Sequence, residues 1–315
     1  MPAPRLVATP SPSPALLPPA LLHADSLRAA VEQRLAALLP MPRGPGDRVA
    51  HAMREAVLSP GKRFRPLLVL TGCRALQVDP AAFFDVACAL EIVHAASLTL
   101  DDMPCMDNAL LRRGRPALHH AFGEDVALLA AVAQLSLAYR IVAASPSLAP
   151  ALRVHVALAV ADGIDDLVQG QYRDLHAGAS ADDGEAAAGA AETVRLKTAS
   201  LFGVAFEIAA LAAGRNAEFR ARLQSCAAHI GQAFQLLDDL QDGGCLPARD
   251  GTRPVNEDGG KVTLVTLLRP AGANARFRMH VRTADAMLRS LFPEGDAMCE
   301  LLQQVFGGHE EVVLE

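Results

Sequence analysis

From Ser26 onward, apolar residues recur nearly everywhere at spacings of three and four, the period of amphipathic helices. Asp79-Pro80 reads as a helix start, an N-cap carboxylate followed by a first-turn proline, and a largely apolar run continues from it to Leu100. Further helices are predicted over Glu124–Ala144, Leu152–Leu175, Glu192–Ala213 and Arg220–Leu240. Strand-like alternation bounded by turns is hard to find, and no internal repeat stands out. The pattern predicts an all-α protein with one domain over residues 23–315.

Several breaks interrupt the helical pattern. Residues 1–22 are rich in Pro, Ala and Ser; proline denies them a stable helix and they offer little to bury, so a disordered tail is expected. A transit peptide is disfavoured there, because Arg5 alone supplies positive charge. Residues 177–190 read as an exposed loop, and residues 243–260, with five Gly and two Pro, as a mobile one. Pro104 should end or kink the helix that reaches Leu100.

Composition narrows the class. Hydrophobic residues make up 51% of the 315, dominated by Ala and Leu, with 4% aromatics and no Trp; this favours packed helices. A net charge of −6 with no basic stripe speaks against nucleic acid as the partner. Val126–Ala144 is apolar enough to raise a membrane span, but it carries Gln134, Ser136 and Arg140, so a buried core helix and no span are expected. Six cysteines without paired spacing, and no signal peptide, fit reduced thiols in the cytoplasm.

Two acidic clusters carry the chemistry. Phe83, Ala87, Leu90, His94, Ser97 and Asp101 share one helix face, apolar at its start and polar at its end. Asp102 and Asp107 complete this first cluster. On the helix that ends near Leu240, Gly231, Gln235, Asp238 or Asp239, and Asp242 likewise share a face. Neighbouring carboxylates raise one another's pKa unless cations compensate, and neither helix offers a Lys or Arg within a turn upstream. Hard divalent cations such as Mg²⁺ suit such oxygen clusters and commonly share substrate phosphates. Basic residues flank them at Lys62–Arg65 and Arg112–Arg115, where a helix start and several guanidiniums suit a small anion.

These stretches resemble the trans-polyprenyl diphosphate synthase family, most closely its bacterial carotenoid-pathway members that make geranylgeranyl diphosphate. The resemblance covers about residues 45–270, in order. It rests on Glu91–Pro116 with its DDxxxxD spacing, on Gly231–Asp242 with DDLQD, and on Gly61–Pro66, Gln169–Asp174 and Lys197-Thr198. Pro60, Leu100, Ala131-Val132, Arg253 and Val262 depart from the family's usual residues, and none of these changes removes a carboxylate.

The resemblance implies a helical bundle around a central cavity, a homodimer, and Mg²⁺-dependent condensation of isopentenyl diphosphate with allylic diphosphates. Asp101, Asp107 and Asp238 would be the chief ligands of Mg²⁺, three ions in all, supported by Asp102, Asp239 and Asp242. Arg112, Lys197, Thr198, Gln235 and Lys261 would hold the allylic diphosphate, and Lys62, Arg65, His94 and Arg113 the isopentenyl diphosphate. Fifteen-carbon synthases of the family usually carry an aromatic at the position of Ala96 or Ser97; the small residues here imply a twenty-carbon product. The competing expectations are a synthase of farnesyl or longer-chain diphosphate, a class I terpene cyclase, and a non-catalytic partner subunit.

Overall fold

A computed structural model describes residues 24–176, 183–245, 264–292 and 296–307. The expected disordered tail and Lys261, Arg253 and Val262 lie outside the described residues.

The elements are helices almost throughout. They are α1 (Ala24–Leu38), α2 (Arg48–Leu58), α3 (Phe64–Ala75), α4 (Phe84–Asp101), α5 (Leu118–Phe122), α6 (Glu124–Ala144), α7 (Pro150–Leu175), α8 (Asp183–Val194), α9 (Ser200–Ala212), α10 (Ala217–Asp242), α11 (Leu264–Leu291) and α12 (Asp296–Phe306). Two short pieces matter beside them. A 3₁₀ turn over Pro80–Phe83 leads into α4, and a π-helical turn over Arg195–Ala199 joins α8 to α9. The expected helix start is realised in the first: the Asp79 side chain accepts a hydrogen bond from Ala81 N at 2.9 Å.

Two expectations are corrected. Residues 183–190 are not loop but the first part of α8. The stretch Glu185-Ala-Ala-Ala-Gly-Ala-Ala has the strongest intrinsic helix formers in it, which outweigh Gly189. Strand, which the pattern did not show, occurs as a two-residue pair: β1 (Leu111–Arg112) lies antiparallel to β2 (Arg115–Pro116), with Leu111 opposite Pro116 and Arg112 opposite Arg115. Arg113 and Gly114 form its turn, both at positive φ (54° and 74°), as a type I′ hairpin requires.

The core is one cluster running from Leu27 to Phe306. Helices α3, α4 and α9 are apolar nearly all round and lie at its centre; α4 packs on α3 and α6, and α9 on α3, α7 and α10. Helix α4 ends at Asp101, two residues before the Met103-Pro104 pair, as proline demands. Helices α4, with its 3₁₀ lead-in, and α6 are long and apolar enough to cross a membrane. Yet α6 turns Val126, Ala127, Ala130, Gln134, Leu137 and Ala138 inward, and buried Gln134 donates to Met53 O of α2 at 3.3 Å. Its other face, with Leu128, Leu129, Val132 and Arg140, is exposed.

Candidate active site

The first acidic cluster is built by the end of α4 and the turn after it. Asp107 N donates to Asp101 O at 3.0 Å and Asn108 N to Met103 O at 3.0 Å, so the chain folds back and sets Asp107 beside Asp101. The face predicted along α4 is apolar and sealed at Phe83, Ala87 and Leu90, then opens at His94, Ser97 and Asp101. Ala96, one position round the helix, is fully buried; Ser97 Oγ donates to His94 O at 2.9 Å.

Asp101 and Asp102 part company. Asp102 is 2% exposed and accepts from Arg112, with Nε 2.9 and 3.2 Å from its two oxygens and Nη2 closer still. Asp101 faces Lys197 instead, 3.2 Å away. The same ammonium stands 3.9 Å from Asp107 and 2.7 Å from Asp174 of α7. Burial pushes the Asp101 carboxyl above the usual range, Lys197 pulls it back, and Asp107 adds to the rise. For Lys197, burial works to lower the pKa, but Asp101, Asp174 and Asp107 outweigh it and the ammonium is held above its usual value.

Lys197 reaches this point because of the π-helical turn that carries it, a distortion that often accompanies functional sites. Two glycines make room for the turn. A Cβ on Gly170 of α7 would lie 2.3 Å from Lys197 N, and one on Gly231 of α10 would lie 2.8 Å from Ala199 Cα. Both neighbouring helices therefore touch the turn backbone to backbone.

The adjacent residue faces the second cluster. Thr198 Oγ1 donates to Gln235 Oε1 at 3.0 Å, and Gln235 Nε2 donates to Asp239 Oδ1 at 2.8 Å. Asp239 and Asp242 are buried and Asp238 is partly exposed. One π-helical turn thus joins both acidic clusters, through Lys197 to Asp101 and Asp107, and through Thr198 and Gln235 to Asp239.

The second basic group gathers at the start of α3. Lys62 Nζ lies 5.3 Å from the centroid of the Phe234 ring, and Arg65 Cζ lies 4.6 Å from that of Phe202. Arg113 donates to Ser59 Oγ at 3.3 Å and would touch any side chain on Gly61. Burial lowers the Arg65 pKa to about 10; Glu91 opposes this and Arg113 reinforces it. Burial, followed by Arg65, Arg113 and Arg112, holds His94 well below its usual value, so its imidazole is neutral at pH 7. Arg65 Nε is buried with no hydrogen-bond partner among the described residues.

Sixteen of the seventeen side chains singled out for metal, diphosphate or chain-length roles are described, but not all point the same way. Arg112 is engaged by Asp102 rather than standing with Lys197, and Ala96 is sealed. Asp174 had no assigned role, although it holds Lys197 at the shortest of the three distances. The signal was available: Asp174 sits four residues after Gly170, on the same face of α7.

The polyprenyl synthetase family model matches residues 47–275. A geranylgeranyl diphosphate synthase of Pantoea ananas is 43% identical, over 90% of this chain and 92% of its own. A farnesyl diphosphate synthase of Geobacillus stearothermophilus is 35% identical, over 87% and 94%. Among solved structures, the geranyltransferase of Helicobacter pylori, complexed with magnesium and isoprenyl diphosphate, superposes with a TM-score of 0.80 at 25% identity, covering 93% of this chain and all of that one. The chain belongs to the polyprenyl synthetase family.

Proposed function

We propose that the protein condenses isopentenyl diphosphate with allylic diphosphates and releases geranylgeranyl diphosphate, with Mg²⁺ as its metal. The observation that carries this is the π-helical turn set between two carboxylate clusters, with a second cationic group at Lys62, Arg65 and Arg113. Among the described residues no three side chains already converge as a metal-ligand set, and what supports a divalent cation is the charge of the first cluster: an ammonium stands among three carboxylates there, and the raised Asp101 pKa is relieved by added positive charge. Asp101, Asp107 and Asp238 would be the principal ligands, with Asp239 and Asp242 in support, and three ions in all. Asp102, spent on Arg112, would act through that ion pair.

Bound Mg²⁺ would supply Lewis-acid neutralisation of charge on a departing diphosphate. The protein's own part is placement. Lys197, Thr198, Gln235 and Lys261 hold the allylic diphosphate, and Arg112 borders it. Lys62, Arg65, Arg113 and neutral His94 hold isopentenyl diphosphate, so that its double bond lies against the allylic carbon. The allylic C–O bond breaks, the new C–C bond forms, and a proton from the isopentenyl unit leaves with the departing diphosphate.

Neither Ala96 nor Ser97 is aromatic, which supports a twenty-carbon product, as does the name of the Pantoea relative. The outer faces of α6 and α7 expose Leu128, Leu129, Val132, Val154, Leu158 and Tyr172, an apolar surface suited to a second copy of the chain in a homodimer. All six cysteines are free, in keeping with a cytoplasmic protein. The deciding experiment is purified protein with Mg²⁺, isopentenyl diphosphate and each allylic primer, with products resolved by mass. A twenty-carbon diphosphate is expected from the wild type, and a shorter one from Ala96→Phe. Cyclic hydrocarbons, or no turnover without another subunit, would defeat the reading.

A further inference from the structure

We propose that half-buried Ser59 and buried Arg63 and Glu91 form a positioning network that sets the geometry of the isopentenyl diphosphate site without touching the substrate. The inference rests on the function proposed above, since it concerns what holds Lys62, Arg65 and Arg113 in place.

The segment between α2 and α3 is only five residues long, 59–63, and it carries Lys62. Its last residue is held in an unfavourable conformation. Arg63 has φ of 51°, in the left-handed region that a side chain enters only when its surroundings force it. Those surroundings are the Arg63 side chain's own bonds. The residue is 3% exposed. Its Nη1 donates to Glu91 Oε1 at 3.2 Å and its Nη2 to Ser59 O at 2.6 Å, while Nε stands 3.6 Å from Glu32 Oε1 of α1. Glu91, on α4, is also 3% exposed.

A buried ion pair is poor value as a source of stability, because desolvation offsets its attraction; its better use is to fix a geometry. Here the fixed object is plain. Ser59 accepts from Arg63 through its carbonyl and from Arg113 through its hydroxyl, so one residue sets the distance between two guanidiniums. Gly61 is pressed between them: an added Cβ would lie 2.8 Å from Arg113 Nη1 and 3.3 Å from Arg63 Nη1. Glu91 anchors the assembly to α4 three residues before His94, on the helix that also ends in Asp101. The chain of contacts therefore runs from α4 through Glu91, Arg63 and Ser59 to Arg113. It ties the second diphosphate site to the helix that bears the first carboxylate cluster.

Steady-state kinetics of Arg63→Lys, Glu91→Gln and Ser59→Ala separate positioning from mere support. Positioning predicts that KM for isopentenyl diphosphate rises about tenfold in Arg63→Lys and Glu91→Gln, and by less in Ser59→Ala, while KM for the allylic primer stays within about twofold. Ser59→Thr, which keeps the hydroxyl, restores the wild-type value. A purely structural role lowers the melting temperature and the active fraction but leaves both KM values alone, or moves both together; either result overturns the proposal. Ser59→Ala removes one hydroxyl at a helix end, so it remains decisive should the buried variants not fold. Turnover by the wild-type protein on the same substrates tests the underlying function separately.

Discussion

Lys197 and the group formed by Arg65, Arg113 and His94 are both cationic or potentially cationic, and both are largely enclosed, yet they are balanced in opposite ways. Lys197 has carboxylates on three sides, and its pKa is held up in spite of burial. Arg65 is pushed down to about 10 by burial with Arg113 adding to it, and His94 is kept neutral by burial among guanidiniums. The first environment is rich in negative charge and already contains a cation. The second gathers positive charge that an anion would relieve. Burial by itself does not distinguish them; the sign of the neighbours does. In the proposed reaction the first environment accepts metal ions, and the second accepts the diphosphate that keeps its phosphate through the reaction.

The strongest way to break this contrast is to remove its carboxylates. Asp101→Ala or Asp238→Ala should lower kcat by at least about a thousandfold in a steady-state assay. Near-normal turnover in both variants would end the reading of the clusters as metal ligands. Next in size is displacement of the π-helical turn. Gly170→Ala places a methyl group against Lys197 N and should cost about a hundredfold in kcat/KM, with Gly231→Ala close behind. Little change in either would mean that the turn can shift without harm.

A smaller effect compares the two basic regions directly. Lys197→Ala removes the cation among Asp101, Asp107 and Asp174, so Mg²⁺ should bind the substrate-free protein about three- to tenfold more tightly by calorimetry, while KM for the allylic primer rises. Arg113→Ala should leave Mg²⁺ binding unchanged and raise KM for isopentenyl diphosphate about tenfold. Equal responses from the two variants would erase the distinction.

The smallest effect is on stability in acid. His94 has a folded pKa well below 6.5, and His280, whose Nδ1 lies 2.8 Å from that of His229, is lowered to about 4 by burial with help from His229 and Arg276. In the unfolded chain both imidazoles take up protons as pH falls below about 6.5, and in the folded protein they resist. Stability is therefore complete above that pH and declines as pH drops from 6.5 toward the folded values, by at most about 1.4 kcal/mol per pH unit for each group. The His280 share is reduced by its partial exposure. Urea denaturation between pH 8 and pH 4.5 should show the decline, and His94→Asn should make it shallower.

Much of this molecule was legible in the sequence, because its signals are local. Helical spacing placed α4, α6, α7 and α10 to within a few residues, and the run of carboxylates located both clusters. Asp79-Pro80 announced its own helix start. Local patterns failed where a weak preference was outweighed, as when an alanine-rich stretch made α8 out of an expected loop, or where two residues of strand were too few to show a period.

The sequence by itself determined which helices form, which residue types line their faces, and that carboxylates and cations occur in the right numbers for diphosphate chemistry. The tertiary structure alone decided who meets whom. Asp101 and Asp102 are neighbours in the chain, yet consecutive positions on a helix diverge by about 100°, so one meets Lys197 and the other Arg112. Nothing in Arg195–Ala199 marks it as a π-helical turn; the backbone contacts at Gly170 and Gly231 set it between two helices from distant parts of the chain. Such pairings depend on how separate helices approach one another, and spacing along one helix carries no record of that approach.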